Sequence, residues 1–431
     1  MSEPADQPAG ATASSDWTPS AASPAAPVGP CDVLIAGAGP AGADLARRLA
    51  DAGASVVLID SLPDLRRAAF SSAALPWTAV LEHGLPEDVI AARWSGWRLL
   101  GPGEDQRCWE RAAAAGAGGA PLGAVLDFAA LRHWLAGRAI AAGAVVRLGW
   151  RALRVQQQGG DIRTLMRAGG GEHLWLQSRW VVDATGQARV LLGEPTPEAG
   201  PLVSGVGVEW LLAVDPDRWR RWADRLSFLL GSDWVPQGYG WVFPMGPGQL
   251  KLGVCRLEDP SRRQPALHRL QSCLLQRLDL GQAEVLDRHG GLIRSTIHRR
   301  ETHRRGRLIG LGDAVSTANL LGGEGIRHAL ASSAVLAPLL LRDLAGEGGG
   351  KALASYPRRL RRRLGWRWSL SGRLARRTWL GLDSPAADAR LGRLLEGLRL
   401  RADAEDLSAL LFDYRFERYG LRALPYLLGW R

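Results

Sequence analysis

Residues 32–60 read DVLIAGAGPAGADLARRLADAGASVVLID. The short apolar run at 32–36 predicts a buried strand. Gly37-Ala38-Gly39-Pro40-Ala41-Gly42 follows as a turn. Residues 43–52 have helical composition, and Gly53 marks the helix end. The run at 55–59 predicts a second strand, which ends at Asp60. Each glycine has a physical role in such a unit. Gly37 permits the tight turn, Gly39 lets backbone approach a pyrophosphate, and Gly42 lets helix and strand pack closely. Pro40 and Ala41 open the helix, whose N-terminus meets phosphate charge. Asp60 stands where a carboxylate bonds ribose hydroxyls. Strand, turn, helix and acid together predict dinucleotide binding, and leave FAD and NAD both open.

The chain has 431 residues, 46% hydrophobic and 23% charged. That suits two packed domains and excludes a wholly disordered protein. No apolar run approaches the roughly 20 residues that span a bilayer. The four cysteines form no CxxC pair, so neither a disulfide framework nor a zinc ribbon is indicated, and a reducing cytoplasm is the expected setting. Histidines such as His298 and His303 lack metal-ligand spacing and read as surface residues in an Arg-rich stretch. The net charge is +11, with lysine only at Lys251 and Lys351.

Outward from the glycine unit, residues 1–30 are Ala, Pro, Ser and Gly, a composition expected to be a disordered arm. The stretch 61–123 reads as loop-rich. Residues 127–142 predict a helix, and 144–148 a strand. Residues 152–182 predict antiparallel strands that run into Asp183-Ala184-Thr185-Gly186. Strand-like runs recur at 203–256. A strand at 307–312 leads to Gly312-Asp313-Ala314, then Gly322-Gly323-Glu324-Gly325-Ile326 and a long apolar helix. The remainder, from 352, is expected to be mostly helical.

With these later motifs the chain resembles the geranylgeranyl reductase family, within the p-hydroxybenzoate-hydroxylase-like flavoproteins. The resemblance covers roughly residues 31–345. It selects FAD over NAD, and it implies an α/β fold. A Rossmann-like FAD-binding domain at 31–202 is closed by 301–345. An antiparallel-sheet substrate domain at 203–300 lies between them, and a helical, Arg/Trp-rich region at 346–431 follows. The resemblance assigns the cofactor to the first glycine turn, to Asp60, to Ala184, Thr185 and Gly186, and to Gly312, Asp313, Gly322, Gly323, Gly325 and Ile326. Asp313 would accept hydrogen bonds from ribityl hydroxyls. The helix start near Gly325 would face the flavin pyrimidine ring. Arg132, near the family's FD-x-x-L helix start, is a further cofactor candidate. Tyr239-Gly240-Trp241-Val242-Phe243-Pro244 matches the family's aromatic turn. Tyr239 and Trp241 would line an apolar pocket over the flavin, with Phe243 in the core. Glu324 is either a chemical group or a helix-start acid. The family's Cys-Gly pair after the second strand is absent, since residues 69–73 read Ala-Phe-Ser-Ser-Ala.

The implied activity is FAD-dependent reduction of carbon–carbon double bonds in an isoprenoid or other apolar substrate. No second GxGxxG exists for a resident NAD domain, so NADPH or a reduced redox protein would donate electrons transiently. Rivals are a monooxygenase, a lycopene-cyclase-like non-redox flavoenzyme with Glu324 as acid, and a non-catalytic flavin-binding scaffold. Residues 355–380 hold nine arginines interleaved with Trp366, Trp368 and Trp379, and no acid. An anionic membrane surface is the expected partner, ahead of nucleic acid.

Overall fold

The computed structural model describes residues 29–67, 71–111, 119–200, 202–296, 300–347 and 351–416. Most of the expected N-terminal arm lies outside these residues. Two main sheets organise the chain. The first has eight strands. Cys31–Ala36 pairs in parallel with Val56–Asp60 on one side and with His173–Asp183 on the other. Val145–Leu148 extends one edge, and Leu308–Gly310 and Arg304–Arg305 the other. Side chains of the central strands are almost all buried, as expected for parallel strands covered on both faces. The helices Pro40–Asp51, Phe128–Ala141 and Ile326–Leu344 pack on it and on one another.

His173–Asp183 serves two pairings. Its first half closes an antiparallel meander with Asp161–Ala168 and Trp150–Gln158. Its second half turns parallel to Cys31–Ala36 and delivers Asp183 to the end of the glycine turn. The nucleotide sheet is thus assembled from segments far apart in the chain.

The second sheet has seven strands, in the order Glu284–Thr296, Leu202–Ala213, Gln249–Leu257, Gly238–Pro244, Arg225–Leu230, Gly96–Leu100 and Gln106–Glu110. Its last two strands come from the stretch that reads as loop-rich. Both are short, and in Gln106–Glu110 exposed Gln, Cys and Glu side chains alternate with buried Arg107 and Trp109, so no apolar run marks them. One face of this sheet packs on the helices Pro216–Trp222 and Leu267–Arg277. The other is aromatic and is covered by the C-terminal helices Pro385–Arg401 and Ala404–Leu411. Among the described residues, no helix is long and apolar enough to cross a membrane. His303, read as a surface residue, is buried and stands edge-on to Tyr356; His298 lies outside the described residues.

Candidate active site

The glycine turn sits where the parallel strands end. Gly37 has φ +108°, and a Cβ there would lie 2.3 Å from the Ala184 carbonyl oxygen. Only glycine allows this turn beside the 183–186 segment. A Cβ on Gly42 would lie 2.0 Å from the Gly37 carbonyl, so the helix presses against its own turn. Gly39 is different. Its φ is −71°, and a Cβ on it meets no protein atom within 4 Å. It precedes Pro40 and Ala41 at the helix start, where no side chain caps the backbone amides. Asp60 reaches back: its Oδ2 accepts from the Ala38 amide at 2.7 Å, and its Oδ1 from Leu62 at 2.9 Å. Arg132 is buried near Asp60 and Asp64. Burial lowers its pKa, and the two carboxylates oppose that shift.

Three further segments converge on this turn. Asp183 is fully buried and ties the 183–186 segment down, accepting from Thr185 Oγ1 at 2.6 Å and from the Leu192 amide at 2.7 Å. Gly186 follows with φ +68° and open space beside it. Gly312, φ +62°, would bring a Cβ within 2.9 Å of the Ala41 side chain. Asp313 accepts from Thr317 Oγ1 at 2.9 Å and lies against Gly325, which caps the helix that begins at Ile326. Burial raises the Asp313 pKa above the ordinary carboxylate value, and hydrogen bonds from Thr317 and the Ala318 amide oppose it. Gly322 is exposed and, like Gly39, has neither a positive φ nor a neighbour within 4 Å of a Cβ.

A buried ion pair pins these loops together. Arg189 and Glu301 are each about 1% exposed, with Arg189 Nη1 2.9 Å from Glu301 Oε2. Arg189 also donates to the Ala314 carbonyl at 2.7 Å and to Ser316 Oγ at 2.9 Å. Arg189 and Ser316 both hold left-handed backbone, φ +48° and +56°. Sequence reading missed this pair, because its members stand 112 positions apart and carry no local pattern.

The aromatic face of the second sheet meets the 322–325 glycine segment at Gly323. A Cβ on Gly323, itself at φ +64°, would lie 3.1 Å from the Tyr239 hydroxyl. Tyr239, Trp241 and Phe243 alternate along Gly238–Pro244 and share one buried face. Burial raises the Tyr239 phenol well above its usual pKa. Trp241 Nε1 donates to Glu209 Oε2 at 2.7 Å. Glu209 is fully buried, 3.6 Å from His289 Nε2. The sequence held one signal for it, a single acid inside the apolar run 205–214. Trp379 packs on Tyr239 with ring centroids 4.8 Å apart, and its indole donates to the Leu321 carbonyl at 3.1 Å. Trp368 is also buried. Two of the three tryptophans read as part of a docking face therefore turn inward, and only Trp366, 63% exposed, remains outside. Glu324 is buried and held from two sides: Arg327 forks onto it, and the Tyr414 hydroxyl donates to Oε2 at 2.9 Å. This carboxylate raises the Arg327 pKa against the opposing effect of burial.

The glycines test whether a cofactor fits. At Gly39 and Gly322 neither backbone conformation nor packing within the protein calls for glycine. Both positions leave room for a group to lie against the backbone, and the uncapped helix start after Gly39 is of a kind that fits a pyrophosphate.

Comparison with known proteins agrees. Residues 32–209 match the family described as lycopene cyclase protein. A digeranylgeranylglycerophospholipid reductase of Haloferax volcanii is 28% identical over 335 residues, covering 73% of this chain and 76% of that protein. A menaquinone reductase of Mycobacterium tuberculosis is 29% identical over 366 residues, covering 80% of this chain and 83% of the relative. The crystal structure of a geranylgeranyl bacteriochlorophyll reductase-like protein from Thermoplasma acidophilum superposes with a TM-score of 0.74 at 22% identity, covering 92% of this chain and 99% of that one. The fold is that of the p-hydroxybenzoate-hydroxylase-like flavoproteins. The chain is similar in sequence to geranylgeranyl-type and menaquinone reductases, as its motifs indicate.

Proposed function

We propose that the protein reduces carbon–carbon double bonds of an isoprenoid substrate. The observation that carries the reading is the closure of an aromatic face, Tyr239, Trp241 and Trp379, directly onto the glycine turn at Gly323. Bound FAD supplies hydride chemistry. Gly37, Gly39, Pro40, Ala41 and Gly42 hold its pyrophosphate, Asp60 its ribose, and Arg132 backs Asp60. Ala184, Thr185, Gly186, Gly312, Asp313, Gly322, Gly323, Gly325 and Ile326 frame the flavin end. Tyr239 and Trp241 position the alkene and exclude water. The names of the relatives, both reductases, support this side of the fold's chemistry. NADPH or a reduced redox protein is the transient donor.

The exposed arginines Arg358, Arg359, Arg361, Arg362 and Arg363, with Trp366 beside them, dock the protein peripherally on anionic membrane. The match of residues 32–209 to the lycopene cyclase family favours a second reading, a non-redox cyclisation in which Glu324, released from its pairing with Arg327, serves as acid. Photoreduced protein mixed anaerobically with polyprenyl lipids separates the two. A product heavier by two hydrogens supports reduction. An isomer of unchanged mass, lost in Glu324→Gln, supports cyclisation. Turnover only with oxygen, adding an oxygen atom, contradicts both.

A further inference from the structure

Of the chain's 54 lysine and arginine residues only two are lysine, Lys251 and Lys351. The distinction matters inside a protein, because a buried lysine can give up its proton and an arginine cannot. Lys351 is exposed, whereas Lys251 is 6% exposed. Lys251 stands opposite Phe243 on one neighbouring strand and opposite Leu211 on the other. Directly opposed residues of antiparallel strands share a face, so Lys251 belongs to the aromatic face. The adjoining row on that face runs Trp241, Gly253, Glu209 and His289. Its glycine makes room for the indole: a Cβ on Gly253 would lie 2.1 Å from the Trp241 ring.

Lys251 also reaches the other wall. Its Nζ donates at 2.8 Å to the carbonyl of Ser71, in the segment that follows Asp60 out of the nucleotide sheet. An ammonium has three N–H groups, and among the described residues this carbonyl is its one hydrogen-bond partner. Burial lowers the Lys251 pKa, and the charges of Glu209 and Asp127 oppose that shift. Tyr239 and Cys255, opposite each other on the same face, are made weaker acids by burial. We propose that Lys251 is the acid that protonates the alkene, an inference that rests on the proposed double-bond reduction. One carbon takes a hydride, with its two electrons, from the reduced flavin. As the π bond opens, its electron pair takes a proton from Lys251 Nζ at the other carbon. The flavin is oxidised by two electrons and the alkene reduced by two. The neutral amine regains its proton from water by way of Glu209 and His289, whose Nδ1 stands 2.9 Å from the exposed Asp287 carboxylate.

Two lysines give two signals in the magnetic resonance spectrum of full-length, FAD-loaded protein isotopically labelled at lysine Cε, and Lys351→Arg assigns them. Lys251 should titrate below the ordinary lysine value, although Glu209 and Asp127 face it. Titration at or above that value overturns the proposal. Anaerobic reoxidation of photoreduced wild type by a polyprenyl lipid should slow as pH rises through the value so measured, because the proton is then gone. Lys251→Met should keep its flavin and reoxidise about a hundredfold more slowly or worse. Lys251→Arg restores the charge and a donor for Ser71 but releases no proton, so it should stay as slow and lack that pH dependence. Recovery of the rate in Lys251→Arg would make the residue a tie between the walls; it overturns the proposal and leaves the reductase reading intact. Wild type that reduces no polyprenyl lipid at any pH overturns the reading itself, and the proposal with it.

Discussion

The two walls of the site are encoded differently. The nucleotide wall is made of backbone: Gly37 turns against Ala184, Gly42 presses on its own turn, and Gly39 and Gly322 present bare chain to open space. The opposite wall is made of side chains from well-separated segments, Trp97, Glu209, Phe228, Tyr239, Trp241, Trp379 and Phe412. Chemistry carried by backbone needs particular residues at consecutive positions. Chemistry carried by a sheet face needs only an aromatic here and there, placed by topology.

The largest expected effect separates two glycines of one motif. Gly39→Val should fold and lose FAD, because its side chain enters space that the protein leaves open. Gly42→Ala should instead lose stability, since its Cβ would lie 2.0 Å from a backbone oxygen. Flavin absorbance and thermal melting of both variants check the contrast. If Gly39→Val retains flavin, the backbone wall is misassigned.

The next effect lies where the walls are joined. Arg189→Met leaves Glu301 buried and unpaired and should cost roughly 3–5 kcal/mol, with weaker FAD retention because the Ala314 and Ser316 contacts go with it. Arg189→Met/Glu301→Leu should recover much of the melting temperature. No recovery would mean that the pair is not the source of the loss.

The contrast also explains what the sequence made legible. The strand expected at 32–36 is observed at Cys31–Ala36, and the long helix expected from Gly325 starts at Ile326. Both carry apolar runs and glycine punctuation that act locally. Gly96–Leu100 and Gln106–Glu110 were not legible, because polar residues interrupt both and the pair joins the second sheet through a distant partner, Arg225–Leu230. The tail misled in part. Trp379 stands among arginines in sequence, yet its ring packs on Tyr239, a contact that no spacing within 355–380 reveals.

On the side-chain wall, Trp241→Phe removes the donor to Glu209 and leaves a buried acceptor, at a cost of about 1–3 kcal/mol, readable by denaturant unfolding. A smaller effect follows at His289, which faces Glu209 and Asp287, with Lys251 also acting on Glu209. Its pKa is raised, chiefly by the facing Glu209 carboxylate and against the effect of burial. A raised value means that protonated His289 stabilises the fold. That contribution is complete below about pH 6.5 and fades as pH rises through the higher folded value. In His289→Gln this part of the pH dependence of melting should disappear, and an unchanged profile would refute the coupling.

On the proposed reading the glycine wall and the aromatic wall form one site. Stopped-flow reoxidation of photoreduced Trp241→Ala by a polyprenyl lipid, without oxygen and with flavin content measured alongside, tests it most directly. If the two walls form one site, the variant keeps full FAD content and its reoxidation slows by about tenfold or more. Reoxidation at the wild-type rate, with the same lipid and the same flavin content, would contradict it.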